Sequence, residues 1–370
     1  MASIFFYISG HGFGHASRQI EIINALGTAA PDLEIVVRSS VPEWLFDRTL
    51  RCTVRVEPGE CDTGVAQVDS LHLDARETIA RASSFYEDLA PRAAHEAALI
   101  RRHDGRLLIS DAPPLACAAA AEAGIPSIVV SNFTWDWIYE GYEEALRGYP
   151  ALVPQIQQAY RMATAAWRLP MHGGFETFAP DAVADVPFVA RHAGHARADV
   201  RRAFDLPGDR PVVLFSFGGL GLHELDLGRL DCLDRYDVVL TPHEASTLRT
   251  TSRPGVHVIA EPRLYGSGFR YEDLVAAADV VLTKPGYGII AECLANDAAI
   301  LYTSRGHFRE YDLLVGAMPR FLRCGYIDHE SLFAGRWGAA LDAVLRQGAP
   351  PERPATNGAG VIAGMILGRV

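Results

Sequence analysis

Two short runs combine glycines with side chains able to handle an anion and a proton. Ser9-Gly10-His11-Gly12-Phe13-Gly14-His15 follows the apolar run 4–8, and Thr283-Lys284-Pro285-Gly286-Tyr287-Gly288 follows the apolar run 280–282. Each reads as a strand, a turn poor in side chains, and the start of a helix. Such a turn aims backbone N–H groups and a helix N-terminus at an anion. Lys284 is the single lysine among 34 basic residues. An arginine-biased composition explains its rarity, but its place beside Gly286 fits a phosphate role, because lysine is a common phosphate point charge. Two such loops, far apart in the sequence, imply a phosphorylated ligand held between two domains.

Other side chains offer acid–base or hydrogen-bonding chemistry. His15 stands where the first loop becomes a helix, four residues after His11. Histidine is the usual general base near neutral pH; the plainer reading is that both rings only bond loop carbonyls. Asp111, just past the strand-like segment 107–109, is an equal candidate for a base or an acceptor ligand. Asn132, Trp135 and Asp136 lie in Asn132-Phe133-Thr134-Trp135-Asp136-Trp137, where aromatics interleave with polar groups as a sugar would require, although core tryptophans look alike over so short a window. Glu292, four residues after Gly288, could hold a ribose diol or simply favour its helix start. The run 305–312, with His307, Arg309 and Glu310, follows a strand at the edge where α/β proteins bind ligands, or is a solvated loop.

Several alternatives fail on the same residues. A nicotinamide fingerprint wants a third glycine where His15 stands, and an acidic residue where the second strand ends in Arg38. A phosphate-binding loop of the Walker type needs Ser or Thr after Lys284, and Pro285 is there instead. No D-x-D run is present to hold a divalent metal against a diphosphate. The net charge of −11 argues against a nucleic-acid or anionic-membrane surface. Six scattered cysteines with no CxxC pair read as reduced thiols of a cytoplasmic protein, with neither disulfides nor zinc. No signal peptide and no membrane-spanning stretch is expected.

These residues must be positioned by alternating elements. Strand-like segments at 4–8, 33–37, 107–109 and 125–130 alternate with helix-like segments at 17–26, 115–123 and one long polar helix over 73–102. The stretch 52–75 is less regular, and 136–205 is rich in aromatics and prolines, with His192 and His195 read as structural residues of a linker. Turn residues at 205–211 open a second series, with strands at 212–215, 238–240, 256–259, 280–282 and 299–302. The strand 212–215 runs into a third glycine-rich loop containing Gly218 and Gly219. At 370 residues the chain exceeds one ordinary core. The alternation therefore predicts an α/β protein of two Rossmann-like domains, each with a parallel sheet.

The runs 7–18, 131–139, 283–288 and 308–312 are similar to the N-terminal, glycosyltransferase-like region of plant-type L-arabinokinases. More distantly, residues 4–330 resemble the GT-B enzymes that add N-acetylglucosamine to a peptidoglycan lipid precursor. After Gly325 only a short helix-like segment and a proline-rich tail follow, with no glycine- and serine-rich ATP loop, so sugar kinase activity is not implied. The resemblance implies a GT-B fold whose two domains face each other across a cleft. The acceptor-side domain would span 1–190 and the donor domain 191–370, with the last helix packing back on the first. It implies an NDP-sugar donor (UDP, GDP, ADP or dTDP), no tightly bound cofactor or metal, and inverting transfer to a small hydroxylic acceptor. Gly12 and Gly14, with Gly218, Gly219, Lys284, Gly286 and Gly288, would face phosphate, Glu292 the ribose, and His307, Arg309 and Glu310 the donor sugar. His15 or Asp111 would be the base, and His11, Asn132, Trp135 and Asp136 would meet the acceptor. The Lys284-Pro285 pair departs from the peptidoglycan enzymes. The same fold supports a nucleotide-sugar epimerase, or a non-catalytic sugar-nucleotide-binding protein or partner subunit.

Overall fold

A computed structural model describes residues 3–206, 208–217, 225–241 and 253–370. The chain divides into two compact α/β units: Met1–Ala66, Leu73–Ala190 and Ala355–Val370 form the first, and Gln67–His72 with Arg191–Pro354 form the second.

The first unit is built on a parallel sheet of β1 (Ser3–Ile8), β2 (Glu34–Ser39), β3 (Arg55–Pro58), β4 (Gly105–Ser110), β5 (Ser127–Phe133), β6 (Ala165–Gly173) and β7 (Val183–Asp185). Their spatial order is β3-β2-β1-β4-β5-β6-β7. Alternate residues of β1 serve different cores, as the period of two demands. Ile4, Phe6 and Ile8 pack with Ile20, Ile23 and Leu26 of the helix Phe13–Ala29 and with Ile362 and Ile366 of the helix Gly358–Leu367. Phe5 and Tyr7 face the other way, toward Leu99, Ile100 and Ala116.

The second unit carries β8 (Val212–Ser216), β9 (Asp237–Leu240), β10 (Val256–Val258), β11 (Val280–Thr283), β12 (Ala299–Tyr302) and β13 (Cys324–Tyr326), again all parallel. The order is β10-β9-β8-β11-β12-β13. Val213, Phe215, Leu282 and Leu301 share its core with Trp337 and Leu341.

In both sheets the chain winds outward in one direction and then restarts on the other side of its first strand. β4 therefore adjoins β1, and β11 adjoins β8. The loops leaving those strand pairs diverge at the carboxyl edge and open the crevice in which α/β proteins bind ligands. The loops at 9–12 and 111–113 occupy this place in the first unit, and Phe217 with the loop after Thr283 occupies it in the second.

The long helix expected over 73–102 is two helices, Ala75–Glu87 and Leu89–Arg102. Asp88 breaks the run, because Pro91 belongs in the first turn of a new helix and cannot continue an old one. The helix expected from residue 17 begins at Phe13, so His15 lies within its first turn. Strands β3, β6, β7 and β13 add to those expected. β6 contains Pro170, and β7 and β13 have three residues each, so the usual strand signals were absent.

Candidate active site

The crevice of the first unit holds a buried polar cluster. Gly12 precedes the helix Phe13–Ala29 with φ of 77°, a left-handed conformation that glycine adopts without penalty. It turns the chain so that His15, Arg18 and Gln19 share one helix face. Asp111 arrives from β4 with its N–H bonded to the Tyr7 carbonyl at 2.9 Å and with no solvent exposure. His15 Nδ1 bonds Asp111 Oδ2, and Arg18 donates to Asp111 Oδ1. Gln19 Nε2 also donates to Asp111 Oδ1 at 3.2 Å. Arg18 reaches Asn132 Oδ1 at 2.5 Å, and Asn132 Nδ2 donates to the Pro170 carbonyl at 2.7 Å.

Burial alone would push the Asp111 carboxyl upward, but the Arg18 guanidinium and His15 outweigh it and hold it well below the usual carboxylate range. A carboxylate held ionised can only accept hydrogen bonds. In the neutral imidazole of His15 the proton then sits on Nδ1, and the Nε2 lone pair is the one that can accept a proton from elsewhere. A base oriented by a buried acid is the arrangement that general-base catalysis on a hydroxyl requires.

A second acid stands behind this pair. Asp62 accepts from Ser9 Oγ at 2.9 Å and from Trp135 Nε1 at 2.8 Å. Burial pushes its carboxyl up to about 6, against the lowering effects of His15, Ser9 and Trp135. Trp135 is wholly buried: its ring stacks on Tyr139 at 5.4 Å and on the His15 imidazole at 6.3 Å. It therefore seats the histidine instead of offering an open face to a ligand. Asp136 is buried and accepts from Thr177 Oγ1 at 2.6 Å. His11 packs edge-on to Trp135 at 5.8 Å, and its Nδ1 accepts from the Val65 N–H at 3.3 Å. Gly14 lies in the first turn of the same helix as His15.

The second unit gathers positive charge at its own crevice. Thr283 Oγ1 donates to the Ser216 carbonyl at 2.5 Å, which ties the exit of β11 to the exit of β8. Lys284 follows, and Gly286 is the N-cap of the helix Tyr287–Ala295, which begins with Tyr287 and Gly288. Arg305 lies beside it, 3.6 Å over the Phe308 ring and donating to the Pro285 carbonyl at 3.1 Å. Burial, and then Arg305, push the Lys284 ammonium down to about 7, with Asp69 opposing. Two cations at a helix N-terminus can hold an anion.

Glu310 is buried 3.5 Å from Arg305, whereas His307 is exposed and Arg309 half-buried. Glu292 is buried on the helix Tyr287–Ala295, and its Oε1 accepts from Arg191 Nε at 2.6 Å. Any ribose contact at Glu292 would share the carboxylate with that guanidinium. His195 bonds Asp273 at 3.2 Å. Gly218 and Gly219 lie outside the described residues. Among the described residues, no group of three or more His, Cys, Asp or Glu side chains could hold a metal ion.

The structure thus unites His15, Asp111 and Asn132 in one cluster. Arg18, Gln19 and Asp62 also belong to it but were not singled out from sequence. Arg18 and Gln19 could have been found from their helical spacing to His15, whereas Asp62 lies in an irregular stretch that carries no signal.

No protein-family model matches the chain. An L-arabinokinase from Arabidopsis thaliana is 30% identical over 356 residues, which cover 92% of this chain and 32% of that protein. The chain therefore spans about a third of the length of the curated relative it matches. Among solved structures, the glycotransferase of kitacinnamycin aligns with a TM-score of 0.65 and 16% identity over 100% of this chain and 99% of its own. The glycosyltransferase VinC, solved in complex with dTDP, aligns with a TM-score of 0.59 and 15% identity over 100% and 95%. The fold is the GT-B fold of glycosyltransferases.

Proposed function

We propose that the chain transfers a sugar from a nucleoside-diphosphate sugar to a small hydroxylic acceptor, with inversion at the anomeric carbon and without a metal ion. The observation that carries this reading is the His15–Asp111–Arg18 cluster at the ligand crevice of a GT-B fold. His15 Nε2 takes the acceptor's hydroxyl proton while the acceptor oxygen bonds to the anomeric carbon. The bond from that carbon to the diphosphate oxygen breaks, and its electron pair leaves with the diphosphate. Lys284, supported by Arg305 and the backbone N–H groups around Gly286 and Gly288, stabilises the departing charge. Such a cation pair can serve where other transferases use a divalent metal.

A thermal-shift panel of UDP, GDP, ADP and dTDP, each with sugar conjugates, tests the donor half. A ligand at ~100 times its dissociation constant stabilises the fold by about 2.7 kcal/mol. Incubation of the stabilising conjugate with and without acceptors then tests the reaction. Inverted glycoside that forms equally in EDTA supports the proposal. An altered nucleotide sugar without acceptor would make the protein an epimerase, and binding without turnover would make it a sensor or partner subunit.

A further inference from the structure

Gln67–His72 comes from the first half of the chain yet belongs to the second unit. The Asp74 N–H closes the base of this excursion on the Ala66 carbonyl at 2.8 Å, and the Val68 N–H bonds the His72 carbonyl at 2.9 Å. Its tip touches two loops at the carboxyl edge of the second sheet. Ser70 Oγ donates to the Phe217 carbonyl at 2.9 Å, just beyond β8, and Leu71 is buried in that sheet's core. Past β12, the Leu71 carbonyl lies against Gly306, where an added Cβ would come within 3.0 Å of it. The His72 ring meets His329 at 6.5 Å, and His329 Nε2 bonds Ser304 Oγ at 3.1 Å.

β11 lies between β8 and β12 in this sheet. A tip that touches the exits of both neighbours spans the exit of β11, and Lys284 stands at that exit. Asp69, whose Oδ2 pairs with His72 Nδ1 at 2.8 Å, opposes the effect of burial and Arg305 on Lys284. Its Oδ1 accepts from the Leu71 and His72 N–H groups at 2.6 and 2.8 Å, which fixes the carboxylate on the tip.

We propose that the excursion 67–72 is a wall of the nucleoside-diphosphate pocket, and that Asp69 sets the pocket's affinity by balancing Lys284 and Arg305 in the free protein and opposing the diphosphate once bound. The inference rests on the donor reading given above. Asp69→Asn removes the charge but keeps an oxygen to accept the Leu71 and His72 N–H groups. Wild type and variant are titrated by calorimetry with UDP, dTDP, GDP and ADP and with the matching nucleosides. The comparison is made at about pH 6, where Lys284, pushed down to about 7, remains charged.

The variant should bind the diphosphate about three- to tenfold tighter with nucleoside affinity unchanged, and the gain should shrink as salt is raised. In wild-type protein, hydrogen exchange should slow at residues 67–72 together with 284–290 when the diphosphate binds. Loss of a merely structural residue would not tighten binding, and the exchange measurement needs no variant. A variant that binds no tighter, or protection of 284–290 without 67–72, overturns the proposal and leaves the donor reading intact. Failure of wild type to bind any of the four diphosphates defeats the donor reading itself, and this inference with it.

Discussion

Asp111 has no contact with water and faces two partners, Arg18 and His15, that hold it ionised. An amide in its place could donate as well as accept, so His15 would no longer be confined to the tautomer with a free Nε2. His15→Ala and Asp111→Asn should each lower turnover by about 10²–10⁴. Diphosphate binding in the second unit should stay unchanged, and calorimetry on the same preparations checks that separation. Lys284 gives a pH prediction of definite sign. Its ammonium is pushed down to about 7, and a bound diphosphate favours the charged form, so binding takes up a proton and weakens as pH rises above 7. Lys284→Arg, charged throughout, should flatten that dependence in titrations across about pH 6–9. Asp62 has its carboxyl raised to about 6 from an unfolded value of 3.8. Its contribution to stability is therefore full below about pH 4 and lost as pH rises through 6. Asp62→Asn should remove that fall from the melting-temperature profile.

The elements explain which parts of the site were legible. The first and second glycine-rich runs were readable because an apolar strand, a turn and a helix each leave a local pattern. Lys284 and His15 could be picked out by their place in those patterns. Local patterns do not record which strands become neighbours. The meeting of Asp111 with His15 depends on β4 crossing to the far side of β1, and the helix that carries His15 also brings Arg18 to the same carboxylate. The excursion 67–72 left no trace either, since its role comes from touching strand exits more than a hundred residues away in sequence. Gly12 offers a test at this scale. Its φ of 77° with ψ of 162° belongs to a region that glycine alone occupies readily, so Gly12→Ala should cost about 1–3 kcal/mol of stability and displace His15. Chemical denaturation together with turnover measures both effects.

Across the whole molecule, sequence order and structural membership differ. The chain builds most of one α/β unit, builds the second, and then returns its last segment, Ala355–Val370, to the first. The returning helix Gly358–Leu367 buries Ile362 and Ile366 against the core that backs β1. Replacing either by Ala should destabilise the first unit by about 2–5 kcal/mol. Diphosphate affinity in the second unit should be kept under native conditions, as calorimetry alongside unfolding would reveal. The alternation of elements announced two parallel sheets, whereas the place of the tail came only from the family resemblance, which implied a last helix packing back on the first domain.

In the proposed reaction His15 activates an acceptor hydroxyl against a nucleotide sugar. The most direct test is the rate of nucleoside-diphosphate release from the stabilising donor, measured with and without acceptor in wild type and His15→Ala. Release should depend on acceptor and fall by about 10²–10⁴ in the variant, with donor affinity unchanged. Equal release by the two proteins, or release that ignores the acceptor, would contradict that role of His15.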